Sequence, residues 1–393
     1  MQKIFFLSGS FPPNTGGEFY NYKIYEYLKK TEETSNLDIR YVNLHRLRFI
    51  LKLSWIPLIG DIFASLLFAI ILIRCQGFII LDHYFSYYLT LTKIINKLFH
   101  GKLILIVHHS DRYQSYKKQI QNKENPDLYQ RKDNYQYWNQ ISFINFVNKT
   151  KERISLSCAD KIITVSEYTK KEITSLDINS QLIEVLPPGL DRGKLNDLTF
   201  LNHSKNNDHY QILCVGHCIP RKGIIYLIEA LPQIKQQKSN FTLHIVGKTD
   251  KDSRYYDTVK NRIEELNLQE YIHIHERVNQ PTLNQLYSTA DIFVLPSLQE
   301  GFGIVFLEAM YYSLPIIATD ISAIPELIQH RKNGLLVPPA DSESLAEAIL
   351  LLIENTQLKI KMGQYGKQLV DTSYCWEQTS SKFLSVVQSL VNG

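Results

Sequence analysis

Hydrophobic positions in this chain fall into short runs separated by longer amphipathic or polar stretches, and the alternation occurs twice. In the first half, residues 4–8, 39–44, 77–82, 102–107, 161–166 and 183–186 read as strands, and residues 18–30 read as a helix. The second series places strands at 211–215, 241–246, 272–275, 292–295, 315–318 and 334–337, with helices at 224–236, 283–290, 304–312 and 342–354. Such alternation implies a parallel sheet covered by helices on both faces. The pattern therefore predicts two doubly wound α/β domains in tandem. Between them the composition turns polar, RGKLNDLTFLNHSKNNDH, which marks 192–209 as a linker between a first domain at 1–191 and a second at 210–374. Ligands in such sheets collect at the carboxyl ends of the strands, and an interdomain cleft is the expected site.

Composition narrows this picture. A length of 393 residues exceeds one usual core, and 44% hydrophobic with 21% charged residues is a globular balance. The formal net charge of +4 is mild and gives no argument for nucleic acid, while it suits an anionic nucleotide or an acidic membrane surface. Five scattered cysteines without CxxC spacing point to a reduced, cytoplasmic compartment. The opening MQKIFFLSGSFPP reads as a strand broken by glycine and proline rather than as an export signal. Residues 62–73 are uniformly apolar but fall short of the roughly 20 residues that a membrane span needs. They read as a core helix, or as a helix lying on the inner face of the membrane in peripheral contact. His45, Arg46, Arg48, Lys52 and Arg74 beside them suit anionic lipid and solvent equally.

Candidate chemistry sits where predicted strands end. After the strand at 292–295 comes EGFGIVFLE, with Glu300 in the strand-to-helix loop and Glu308 eight residues on, at most about 12 Å away along a helix axis. Gly301 and Gly303 let backbone N–H groups at the helix start approach a diphosphate. Gly16-Gly17-Glu18 follows the first strand and reads either as a helix-entry turn or as a ligand loop. His108 and His109 end the strand at 102–107; an imidazole there can donate to a sugar hydroxyl, and the adjacent pair lacks a third ligand for a metal. His217-Cys218-Ile219-Pro220-Arg221-Lys222-Gly223 places a basic pair at a strand-to-helix turn, where Lys and Arg can meet two phosphates.

Together these segments resemble the retaining glycosyltransferases of family 4, the glycosyl transferases group 1, which have the GT-B architecture of two Rossmann-like domains. The resemblance rests on VLPSLQEGFGIVFLEAMYYSLPIIATD (294–320), the PELI and NGLLVPP segments after it, VSEYT at 165–169, PPGLD at 187–191, PRKG at 220–223, HIVG at 244–247 and Trp376. It implies that Glu300 contacts donor-sugar hydroxyls, that Glu308 holds the ribose, and that Lys222 neutralises the diphosphate. It further implies that backbone at Gly301, Phe302, Gly303, Ile304 and Val305 covers the diphosphate, that Gly16 and Gly17 form the acceptor-side loop, and that His108, or His109 in its place, touches the sugar. The implied partners are a nucleotide-sugar donor and a carbohydrate or lipid-linked acceptor, with no metal or other cofactor. A C-terminal helix at about 375–393 is expected to pack back on the first domain. One position departs from the pattern: His217 stands where many relatives carry Arg, and Arg221 is expected to supply the missing charge. A GT-B epimerase and a non-catalytic nucleotide-sugar binder are the alternatives. The aromatic-rich segment 113–138, with the apolar run 62–73, hints at a lipid-linked or surface-polysaccharide acceptor.

Overall fold

The computed structural model describes residues 2–8, 16–31, 37–43, 78–82, 102–108, 150, 152–195, 209–249 and 254–392. Among these, the first unit runs to Pro188 and includes Trp376 onward, and the second is Gly189–Cys375. The apolar run 62–73, the aromatic stretch 113–138, His109 and most of the predicted linker lie outside the described residues.

The first unit carries β1 (Gln2–Ser8), α1 (Gly16–Lys30), β2 (Leu37–Asn43), β3 (Phe78–Asp82), β4 (Leu103–Val107), β5 (Lys161–Thr164), α2 (Glu167–Thr174) and β6 (Ile183–Val185). Its strands are parallel and ordered β2-β1-β3-β4-β5-β6. The chain lays β2 on one side of β1 and then crosses to place β3 on the other. The carboxyl end of β1 therefore lies where strand order reverses, the natural ligand crevice of such a sheet. Helix α1 begins at Gly16, two residues earlier than the apolar pattern predicts, so the glycine pair is its first turn. Strand β5 stops at Thr164 because Ser166 turns to cap α2, its hydroxyl accepting from the Thr169 N–H at 3.2 Å.

The second unit contains β7 (Tyr210–Val215), α3 (Ile224–Gln237), β8 (Phe241–Val246), α4 (Arg254–Glu265), β9 (Ile272–His275), α5 (Gln280–Thr289), β10 (Ile292–Leu295), α6 (Ile304–Tyr311), β11 (Ile316–Thr319), α7 (Ile324–Leu327), β12 (Gly334–Val337), α8 (Ser342–Glu354) and α9 (Thr356–Ser373). Strand order is β12-β11-β10-β7-β8-β9, again all parallel. Every residue of β10 and β11 is buried, as expected for strands covered on both faces. The reversal falls between β7 and β10, so the loops leaving these two strands are neighbours. Helix α9 escapes the periodicity reading because it buries only a narrow stripe, Met362, Gly363, Gly366 and Val370, within a polar sequence.

The last helix, α10 (Trp376–Asn392), lies with the first unit. Trp376 packs edge-on against Phe19 and Tyr20 of α1, at ring-centroid distances of 6.1 and 5.5 Å. Thr379 anchors the helix by donating to the Pro187 carbonyl at 2.8 Å. Among the described residues, no helix is long and apolar enough to cross a membrane.

Candidate functional site

In the second unit the polar centre forms where the loop after β7 meets the loop after β10. A 3-10 turn, Pro220–Lys222, ends at Gly223, whose φ of +64° places it in the left-handed region. A Cβ there would stand 2.0 Å from the Pro296 carbonyl oxygen, so only glycine lets the two loops approach this closely. The Leu298 N–H donates to the Arg221 carbonyl at 2.8 Å and closes the contact.

Glu300 lies at the centre of this junction and is only 6% exposed. Its Oε1 accepts from Lys222 Nζ at 2.5 Å and from the Ser297 hydroxyl at 2.7 Å, and its Oε2 accepts from Arg221 Nη1 at 3.3 Å. Burial by itself would raise the Glu300 pKa. The charges of Lys222 and Arg221, with hydrogen bonds from Lys222 and Ser297, outweigh it and hold the carboxyl down at about 2. Glu300 is thus an anion throughout the physiological range and has no proton to give. Thr319 donates to the Ser297 carbonyl and so braces the strand end from β11.

Residues 301–303 lead from Glu300 into α6, whose first N–H groups have no carbonyl within the helix to bond. One turn along α6, Glu308 is partly buried and accepts from the Tyr287 hydroxyl at 2.8 Å. Desolvation raises its pKa, only partly countered by the Tyr287 hydrogen bond and the Lys194 charge. Tyr287 is itself fully buried and stacks on Tyr312 at 5.4 Å between centroids. The structure thus brings Lys222, Arg221 and Glu300 into direct contact and sets Glu308 on the helix that follows. His217 faces elsewhere: its Nδ1 accepts from the Lys248 N–H at 3.2 Å. Burial, then the charges of Lys222, Lys248 and Arg221, lower its pKa and keep the ring neutral.

In the first unit, His108 and Gly17 meet. A Cβ at position 17 would lie 2.8 Å from His108 Cδ2, so any side chain there would displace the imidazole. His108 Nε2 is 3.1 Å from Asn21 Oδ1, and Tyr20 packs edge-on against the ring at 5.4 Å. Among the described residues no group of three or more His, Cys, Asp or Glu side chains is placed to hold a metal ion.

Ser297, Tyr287 and Asn21 were not picked out by sequence reasoning. Asn21 carries a usable signal, since it lies four residues after Gly17 and shares its helix face. Tyr287 has none, because it sits on α5 and reaches Glu308 across 21 residues.

The chain shares its fold with two solved structures. Anabaena HepE in complex with UDP and glucose has a TM-score of 0.69 at 17% identity, covering 99% of this chain and 100% of that one. Sucrose-phosphate synthase from Thermosynechococcus elongatus has a TM-score of 0.74 at 19% identity, covering 100% of both. Two parallel Rossmann-like units of this kind define a protein of the GT-B fold.

The sequence profile of the glycosyl transferases group 1 matches residues 198–369, so the second unit is similar in sequence to that family. A curated relative is the GDP-mannose-dependent alpha-(1-6)-phosphatidylinositol monomannoside mannosyltransferase of Mycobacterium tuberculosis. It is 27% identical over 235 residues, which cover 57% of this chain and 60% of the relative. The capsular polysaccharide biosynthesis glycosyltransferase CapM of Staphylococcus aureus is 28% identical over 260 residues, 61% of this chain and 66% of the relative. The chain thus spans about 60% of the length of the first of these relatives.

Proposed function

We propose that this protein is a retaining, metal-independent glycosyltransferase. It moves a hexose from a nucleotide diphosphate sugar to a hydroxyl acceptor in the biosynthesis of cell-surface polysaccharide or glycolipid. The observation that carries this reading is Glu300, a buried carboxylate kept ionised by Lys222 and Arg221 at the strand-order reversal, directly before a helix N-terminus. An anion fixed in this way binds sugar hydroxyls as an acceptor and cannot serve as a general acid. The names of the mannosyltransferase and capsular relatives support the substrate class.

In the reaction, the bond between the anomeric carbon and the diphosphate oxygen breaks while the acceptor oxygen bonds to that carbon on the same face. The acceptor proton passes to the departing phosphate oxygen, so no protein nucleophile is needed. Lys222 and the first N–H groups of α6 supply the electrostatic support for the leaving diphosphate. Glu308 holds the ribose, and His108, oriented by Asn21, meets a carbohydrate hydroxyl.

The test is to incubate the full chain with UDP-, GDP- and ADP-sugars and a lipid or polysaccharide extract, following nucleoside diphosphate release and the anomeric proton of the product by NMR. Acceptor-dependent release with retained configuration is expected, and EDTA should leave the rate unchanged. Tight nucleotide binding with no turnover would identify a binding protein instead, and interconversion of the sugar nucleotide would identify an epimerase.

A further inference from the structure

The contacts of Arg221 fall on three successive residues of the loop that leads into Glu300. Its carbonyl accepts from the Leu298 N–H at 2.8 Å, and its Nη1 donates to the Gln299 carbonyl at 2.7 Å and to Glu300 Oε2 at 3.3 Å. One planar nitrogen therefore ties the backbone just before Glu300 to the carboxylate itself. Lys222 and Ser297 both occupy the other oxygen, Oε1. A carboxylate offers about four acceptor sites. Three are taken by these groups, and the fourth lies on the oxygen that Arg221 holds. The direction in which Glu300 can accept a further hydrogen bond is thus set by the guanidinium.

We propose that Arg221 is a positioning residue, which aims the free acceptor site of Glu300 at the donor sugar, and that it does not bind the diphosphate. This rests on the donor-site reading above, and it replaces the idea that Arg221 stands in for an arginine at position 217. Arg suits the task better than Lys, because a rigid fork can hold a carbonyl and a carboxylate together, whereas an ammonium on a flexible stem fixes neither direction. A phosphate ligand would act on the nucleotide with or without its sugar. A residue that acts through Glu300 matters only when the sugar is present.

Calorimetric titration of UDP, GDP and ADP, and of UDP-glucose, GDP-mannose and ADP-glucose, onto the full chain separates these roles. Wild type identifies the nucleotide that binds. For that nucleotide, Arg221→Met should leave the affinity of the diphosphate unchanged within about twofold and weaken the sugar nucleotide by about tenfold, the scale of one charge-assisted hydrogen bond. Arg221→Lys retains the cation and guards against a folding defect; it should keep diphosphate binding and remain impaired for the sugar nucleotide. Equal weakening of both ligands would assign Arg221 to the phosphates and overturn the proposal. Unchanged sugar-nucleotide affinity in Arg221→Met, or full recovery in Arg221→Lys, would overturn it as well. If wild type binds none of the six, the donor-site reading fails and this proposal falls with it.

Discussion

Lys222 and Glu308 couple stability and the proposed binding role in opposite senses. Lys222 is only 9% exposed and pairs with a carboxylate that is more buried still. Breaking a buried pair of this kind costs about 3–5 kcal/mol, because the remaining charge is left in low dielectric. Arg221 still faces Glu300, so Lys222→Met should lose stability toward the low end of that range, read as a lowered denaturation midpoint. Its turnover should fall by about 10²–10³-fold if the ammonium stabilises the departing diphosphate. Glu308 behaves in the opposite sense. Its folded pKa lies above the ordinary 4.5, so it contributes stability below pH 4.5 that is lost as pH rises through the folded value. At neutral pH its charge therefore works against folding, and Glu308→Gln should raise the melting midpoint while weakening nucleotide binding, a trade expected of binding residues. Calorimetry with and without nucleotide reads both effects. The placement of Glu300 in the loop before α6 and of Glu308 on it was legible in the sequence, because both stand on one short stretch after a strand. The ion pair with Lys222 was not, since it joins residues 78 positions apart that only the strand order makes neighbours.

At the scale of elements, strands β7, β8 and β9 share a run of polar side chains. His244 on β8 lies 3.1 Å from His275 on β9 through ring nitrogens and 2.9 Å from Gln211 on β7, and His273 stacks on it at 5.4 Å. Burial first, then the neighbouring imidazoles His275, His273 and His209, lower the His244 pKa from 6.5 to about 4. The unfolded chain therefore binds more protons than the folded one between these values, and stability should fall as pH drops from 6.5 toward 4. The hydrogen-exchange protection factors of the β8 and β9 amides should fall as pH drops over that window, and His244→Phe should flatten the dependence. The elements themselves were largely readable, because buried parallel strands appear as short apolar runs whatever the tertiary context. Helix α9 was not, since the small residues on its buried stripe carry no hydrophobic period.

For the whole molecule, two Rossmann-like units follow from the repeated alternation, and each sheet reverses its strand order next to its first strand. The reversal explains why residues as distant in sequence as Lys222 and Glu300 converge. Donor base, sugar and acceptor were not legible in the sequence, because the fold fixes where a ligand sits and leaves its identity to contacts that vary on a common backbone. The central claim is that the second unit holds a nucleoside diphosphate through Lys222. The melting midpoint of the full chain with UDP, GDP or ADP, alongside Lys222→Met, tests it most directly. One nucleotide at a hundredfold excess over its Kd should stabilise wild type by about 2.7 kcal/mol, a rise of several degrees, and shift Lys222→Met much less. No shift of the wild-type midpoint with any of the three would contradict it.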